Sequence, residues 1–328
     1  MEPLTPESTK PNVLVVDDDR GSAELITMML QMRGYDVAVA HSGTEAIALV
    51  EEMVGQASPW RPFPLDVILL DIMMPGADGF KVCQRVKNDS VLKYIPVIMV
   101  TALNSSSDKV AAVEFGADGY ITKPFLPEEL SAAAKAKVQI KRREEVLLRQ
   151  NVELTAITAV AAAAASTLDP RRVLSESLDA LIAHTDISAG AIYCCDETQE
   201  TLTLGVQRQV SRPETIPLLR GLLGRVIRTQ TPVLQVGLEE DDQGLFGNLG
   251  DADLHAYIGI PLRGIERTLG VLEVYHADRA GFGDRDLALF AEIGNRIGVA
   301  LQNAQIFSRT QNLLLKSSAL ATGSLSEE

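Results

Sequence analysis

The sequence predicts two domains of different class joined by one long helix: an α/β domain with a doubly wound parallel sheet, then an α+β domain with an antiparallel sheet. Three observations carry this. Short apolar runs ending in polar residues alternate with helical patterns over the first 125 residues, as βαβ units require. No glycine occurs from Pro127 to about Leu168, and no proline after Pro127. Beyond that point, paired strand patterns around polar turns are bracketed by helices, which is the antiparallel arrangement.

The length of 328 residues fits two domains, and a hydrophobic fraction of 46% is ample for two cores. A net charge of −14 argues against a nucleic-acid footprint and against docking on anionic lipid. Three cysteines, Cys83, Cys194 and Cys195, make no disulfide framework and point to a reducing, intracellular setting. The polar stretch Met1–Lys10 lacks the apolar core of a signal peptide, and no apolar run approaches a membrane span. The expectation is a soluble cytoplasmic protein with a disordered N-terminus over 1–10.

In chain order, Asn12 to Val16 reads as a strand closing on Asp17, Asp18 and Asp19. A helix with Leu25, Ile26, Met29 and Leu30 on one face ends at Gly34. Tyr35 to Ala40 is a second strand and Thr44 to Met53 a second helix. A proline-rich loop, Gln56 to Pro64, holds Trp60 and leads into Leu65–Leu70, an almost wholly apolar run that ends in Asp71 and is followed by Ile-Met-Met-Pro-Gly. That run is what a strand buried on both faces looks like, and Pro75 and Gly76 force the turn after it. Helix Phe80–Lys87, strand Pro96–Val100, helix Ser105–Phe115 and strand Asp118–Thr122 complete the domain.

The polar residues fall where the strands end: Asp17 and Asp18, Asp71, Thr101, then Lys123. In a parallel sheet these ends share one edge, the place where such sheets bind ligands. Three converging carboxylates repel unless a cation sits among them, and magnesium suits an all-oxygen donor set that also bridges to phosphate. Lys123 and Thr101 supply donors for phosphoryl oxygens, which leaves Asp71 as a nucleophile able to form an acyl phosphate. Taken singly, each residue has a plainer reading as a turn former or helix cap. Their joint placement favours the chemical one.

With Val-Val-Asp-Asp, Leu-Leu-Asp-Ile-Met-Met-Pro, Met-Val-Thr-Ala and Gly-Tyr-Ile-Thr-Lys-Pro-Phe in that order, residues 11–126 resemble the receiver domain of two-component response regulators, a flavodoxin-like fold. The resemblance implies that Asp71 is the phosphoacceptor and that Asp18 binds Mg2+ directly, with Asp17 assisting through water. It implies that the Met73 backbone carbonyl completes the protein ligands. Lys123, Thr101 and the Ala102 backbone amide would hold the phosphoryl group, and Tyr120 would be the aromatic switch. The positions two beyond the phosphoacceptor and two beyond the threonine are Met73 and Leu103, both bulky and apolar, so a slowly hydrolysed phosphoryl group is expected.

Residues 127–167 read as a helical signalling linker. Ala133, Ile140, Leu147, Leu154, Ala161 and Leu168 recur every seventh residue, half of a coiled-coil pattern, with Lys137, Glu144, Asn151 and Thr158 at the second seam position. The plainer alternative is an amphipathic helix packed on its own domain. Lys141 to Glu145 reads as a solvated, charge-paired face.

Residues 168–308 give a helix Arg171–His184, strands Ala189–Cys194 and Thr201–Gln207, a helix Leu218–Arg228, a strand Pro232–Val236, an acidic loop Gly237–Leu254, strands Ala256–Arg263 and Thr268–His276, and a helix Phe282–Phe307. Residues 309–328 read as a frayed helix and polar tail. The stretches Gly-Leu-Leu-Gly-Arg-Val-Ile-Arg-Thr-Gln-Thr-Pro-Val-Leu, Gly-Ile-Pro-Leu-Arg and Leu-Gly-Val-Leu-Glu-Val resemble a GAF domain. The acidic loop would repel a phosphate, and no cysteine follows Cys195 for bilin attachment, so the GAF ligand stays open, none included. Cys194 and Cys195 read as packing residues, and His184, His255 and His276 lack metal-cluster spacing; His41 reads as a capping or surface residue.

The resulting expectation is a response regulator that takes phosphate from a histidine kinase or phosphotransfer protein, works as a homodimer, and passes the change along the linker to the GAF half. No nucleic acid, membrane or independent enzymatic activity is expected. Two rivals differ in class: a GAF-driven sensor in which the receiver only modulates, and an aspartyl-phosphate hydrolase. The hydrolase would need an acid at the position Met73 occupies.

Overall fold

The computed structural model of the protein describes residues 10–54, 65–74, 79–89, 92–102, 112–196, 200–217, 221–238, 254–265, 267–278 and 281–323. The chain divides into two compact units, Met1–Gln150 and Asn151–Glu328. Trp60, Leu103, the Pro75–Gly76 turn, most of the 105–115 helix and of the acidic loop, and the first nine residues fall outside the described residues.

In the first unit, strands β1 (Asn12–Val16), β2 (Asp36–Ala40), β3 (Val67–Leu70), β4 (Val97–Thr101) and β5 (Gly119–Thr122) form one parallel sheet in the order β2-β1-β3-β4-β5. The order reverses between β1 and β3, so the crevice at their carboxyl ends is the natural ligand position. Helices α1 (Arg20–Gln31), α2 (Gly43–Val54) and α3 (Gly79–Asn88) connect strands. Asp19 caps α1 by accepting the Ser22 N–H, and Gly34, at φ +83°, closes the turn behind that helix.

Alternation along the strands splits the interior into two cores. Val13, Val15, Val67, Leu69, Ile98 and Val100 face one side, with Ile26 and Leu30 of α1. Leu14, Val16, Ile68, Leu70, Val97 and Met99 face the other, with Val82 and Val86 of α3. This is why Val67–Leu70 is apolar without interruption: both faces are covered.

Helix α4 runs unbroken from Pro127 to Ala165, 39 residues, about 58 Å at the α-helical rise. It buries Leu130, Ala134, Val138 and Lys141 near its start, and Ala156, Val160 and Ala164 near its end. From Arg142 to Thr155 no residue is buried. Ile140, Leu147 and Leu154, expected as a seam, are all exposed.

The second unit holds strands β6 (Ala189–Cys195), β7 (Thr201–Arg208), β8 (Thr215–Pro217), β9 (Val233–Val236), β10 (Ala256–Arg263) and β11 (Thr268–His276) in the order β8-β7-β6-β11-β10-β9, every pair antiparallel. Its helices are α5 (Pro170–His184), α6 (Gly221–Thr229) and α7 (Asp284–Gly323). All nine residues of β11 are buried. Gly270 lets β11 approach β6: a Cβ there would stand 2.0 Å from the Tyr193 carbonyl oxygen.

Two differences from the sequence reading stand out. The edge strand β8 was not expected; three residues with a central Ile216 give too short an alternation to register. Helix α7 continues to Gly323 instead of fraying after Phe307, because no proline or glycine intervenes before that residue. No helix among the described residues is long and apolar enough to cross a membrane.

Candidate functional site

Backbone pairing lines up the strand ends that carry the chemistry. The Asp17 N–H donates to Ala40 O at 3.1 Å, the Asp71 N–H to Val16 O at 2.8 Å, and the Lys123 N–H to Thr101 O at 2.8 Å. Three elements therefore deliver Asp17, Asp71 and Lys123 to one edge. Lys123 Nζ donates to Asp17 Oδ2 and to Asp71 Oδ2, each at 2.7 Å. The second oxygen of each acid is also engaged: Asp17 Oδ1 accepts the Asp19 N–H at 3.0 Å, and Asp71 Oδ1 accepts the Met73 N–H at 3.1 Å.

One carboxylate oxygen from each of Asp17, Asp18 and Asp71 lies within 4.8 Å of the others. Asp17 and Asp71 are buried and Asp18 is exposed. Burial pushes Asp17 above the usual carboxylate range, against the pull of Lys123. For Lys123 burial acts downward, but its hydrogen bonds to Asp17 and Asp71 outweigh it and the ammonium is held above its ordinary range. The donor set consists of hard oxygens with negative charge, two of the three acids held in place by backbone amides. It fits a magnesium ion, which takes carboxylates together with water and phosphate oxygens.

The remaining predicted residues are placed as follows. Thr101 is buried at the end of β4, and Ala102, next to it, is exposed. Tyr120 pairs with Met99, two register positions below the Thr101–Thr122 pair, and packs partly buried against the core. The Met73 side chain is 63% exposed. Gly79, at the start of α3, has no room for a side chain: a Cβ would lie 2.3 Å from the Asp71 carbonyl oxygen. That close approach fixes the backbone behind Asp71.

Sequence reasoning missed three features. His41, read as a surface or capping residue, places Nδ1 3.1 Å from the Asp17 carbonyl oxygen. A carbonyl can only accept, so this nitrogen carries the proton and braces the backbone of Asp17. The second is at the opposite end of β3. Asp66 is buried, accepts the Asn12 N–H at 3.0 Å, and receives Arg142 through Nε at 3.1 Å and Nη2 at 3.0 Å. Lys141 stands 3.6 Å from Asp66 Oδ1 and 2.7 Å from Glu145 Oε1, with its side chain 1% exposed. The run expected as a solvated face is thus corrected at Lys141: the i,i+4 pair with Glu145 is present, but the lysine is buried because it answers the Asp66 charge. The third lies in the second unit, where Arg212 and Glu273 form a buried bidentate pair at 2.9 and 3.1 Å. Burial pushes Glu273 up against the pull of Arg212. A lone acid in the apolar Leu-Glu-Val stretch of β11 was the available signal, since a buried carboxylate needs a cation.

Residues 13–135 match the family model of the response regulator receiver domain, and residues 167–302 match that of the GAF domain. The chain is 39% identical over 150 residues to the DNA-binding response regulator MtrA of Mycobacterium tuberculosis, covering 45% of this chain and 60% of that protein. It is 41% identical over 126 residues to the DNA-binding dual master transcriptional regulator RpaA of Synechocystis, covering 38% and 48%. The chain thus spans about 60% of the length of the curated MtrA relatives it matches. Among solved structures, a putative response regulator from Chloroflexus aurantiacus is 34% identical, covering 40% of this chain and 99% of that one at a TM-score of 0.36. Residues 13–135 of this chain are a response regulator receiver domain, and residues 167–302 are a GAF domain.

Proposed function

We propose that this chain is a two-component response regulator in which Asp71 accepts a phosphoryl group from a histidine kinase or phosphotransfer protein. The observation that carries the reading is the single ammonium of Lys123 bridging Asp17 and Asp71 at 2.7 Å each. Asp71 Oδ2 attacks phosphorus, a P–O bond forms as the donor's P–N bond breaks, and the leaving imidazole nitrogen takes up a proton. Asp17, Asp18 and Asp71, with the Met73 carbonyl, would hold Mg2+, which when bound neutralises charge on the phosphoryl oxygens. Lys123 supplies the cation on the other side, Thr101 the hydroxyl and Ala102 the amide. Tyr120 follows the threonine as the switch.

Phosphorylation then repacks the face beside β5 and the start of α4, and α4 conveys the change toward the GAF half of a homodimer. DNA binding is a property of the named relatives and is not transferred here, because the region after the receiver matches a GAF domain. The GAF domain serves as a sensory or dimerisation module whose ligand is open, and the protein acts in the cytoplasm without turnover chemistry beyond its own phosphorylation.

The test uses acetyl phosphate with Mg2+ and the full chain. A phosphoryl adduct seen by intact mass and lost in Asp71→Asn supports the reading. An adduct of equal extent in Asp71→Asn overturns it.

A further inference from the structure

Glu273 stands in β11 between Val271 and Tyr275, on the sheet face that α6 covers. Its register partners are Ala191 on β6 and Gly259 on β10, so small residues flank the carboxylate on both sides. A Cβ at Gly259 would stand 2.4 Å from the Tyr257 hydroxyl, which therefore lies over that position. Tyr257 and Tyr275 pair across the strands with ring centroids 5.4 Å apart, and both phenols lie against the Glu273 carboxylate. The cation in this setting comes from the connection between β7 and β8. Arg212 gives Nε and Nη2 to Glu273, with its side chain 1% exposed. Its third nitrogen, Nη1, is buried with no hydrogen-bond partner among the described residues. Two further bonds strap the connection down: the Arg212 N–H donates to Gln207 Oε1 at 2.8 Å, and the Tyr193 hydroxyl donates to Pro213 O at 2.8 Å.

A buried carboxylate left without a cation is costly, so this site is not emptied but exchanged. One cation replacing another keeps the charge balanced. A neutral molecule in the place of Arg212 would leave Glu273 bare, and an anion would double the negative charge. Arg212 is also an imperfect occupant, because its backbone tether leaves Nη1 unspent in a site without water's donors and acceptors. A free cation has no tether and is oriented by the carboxylate and the phenols alone. We propose that Glu273, Tyr257 and Tyr275 form a receptor for a small organic cation, a guanidinium or primary ammonium, and that such a cation ejects Arg212 and frees the β7–β8 connection. The inference rests on reading the GAF domain as a sensory module and gives that module a ligand class.

Methylguanidinium and N-methylurea have nearly the same shape and differ in charge, so the pair isolates the exchange. In the full chain carrying Arg212→Ala, methylguanidinium at about 10 mM should recover at least half of the lost melting temperature, because a ligand of the folded state stabilises it. Methylurea should recover none. Arg212→Met with Glu273→Leu, which fills the core and removes the carboxylate, should respond to neither. In wild type, methylguanidinium should speed amide exchange at Arg212 by about tenfold, since its N–H loses the Gln207 acceptor. Methylurea should leave that exchange unchanged. The wild-type measurement decides the matter if Arg212→Ala does not fold. Equal action of methylurea overturns the proposal, as does a folded Arg212→Ala without recovery, or a wild-type Arg212 amide that keeps its protection in the same titration. Native mass spectrometry of the full chain separates the ligand class from the sensory reading. An uncharged or anionic molecule retained through purification overturns the cation and keeps the sensory module, whereas a retained organic amine supports both.

Discussion

Lys123 Nζ lies 2.7 Å from Asp71 Oδ2, on a side chain that also reaches Asp17 at the same distance. One ammonium thus compensates two buried acids that β1 and β3 bring to a common edge. Replacing Lys123 by alanine should leave those carboxylates facing each other, at a cost of about 3 kcal/mol in chemical denaturation without Mg2+. Added Mg2+ should recover part of the loss, because an ion that binds only the folded state stabilises it. Phosphorylation by acetyl phosphate should fall at least tenfold even when stability is restored. A Lys123→Ala protein as stable as wild type in the absence of Mg2+ would show that the two acids are not coupled through this lysine.

The phosphoryl group on Asp71 should persist for minutes or longer in the full chain, followed by loss of the intact-mass adduct after donor removal. Met73 stands two residues beyond Asp71, and its thioether side chain offers neither a carboxyl nor a carboxamide to guide a water. Disappearance of the adduct within seconds would refute this.

Asp66→Ala should cost about 3 kcal/mol, because it removes a buried carboxylate that answers the buried Lys141 ammonium. Arg142→Ala should cost about 1 kcal/mol or less, since that side chain is 39% exposed and its pairing is screened. Equal costs in urea unfolding would mean that the buried lysine is not the sensitive member.

In the GAF domain, Arg212→Met alone should destabilise by about 3–5 kcal/mol by stranding Glu273. Joining it with Glu273→Leu should return most of that stability, as an apolar pair replaces an ionic one. Additive losses in the double variant would contradict the pairing.

The three thiols should alkylate slowly. Burial pushes Cys83, Cys194 and Cys195 each up to about 11. At pH 9 their thiolate fraction should be roughly fiftyfold below that of a free thiol, with iodoacetamide rates to match. Because the folded-state values are raised, the stability these thiols contribute is intact below pH 9 and drains away as pH rises toward 11. Rapid alkylation of the native protein at pH 8 would show that the sites open.

The strand ends were legible in the sequence because an apolar run closing abruptly on charged residues leaves few alternatives: Asp17, Asp71 and Lys123 all lie at strand ends, where that pattern puts them. Asp66 was not legible. A single acid before a strand reads as a turn residue, and the arginine that justifies its burial lies 76 positions away on α4. Glu273 failed to register for a similar reason, its partner Arg212 being 61 positions distant in the segment after β7. Local periodicity reports which face is buried. It is silent on which distant charge allows an acid to be there.

The Asp66 network also sets where the first module may be cut. The receiver match stops at residue 135, whereas Lys141, Arg142 and Glu145 lie beyond it. A chimera spliced at that limit would inherit a sunken anion and discard its counter-ions, so its poor behaviour would be blamed on the donor scaffold. Splicing downstream of Glu145 transplants the strand together with the cations it was built around.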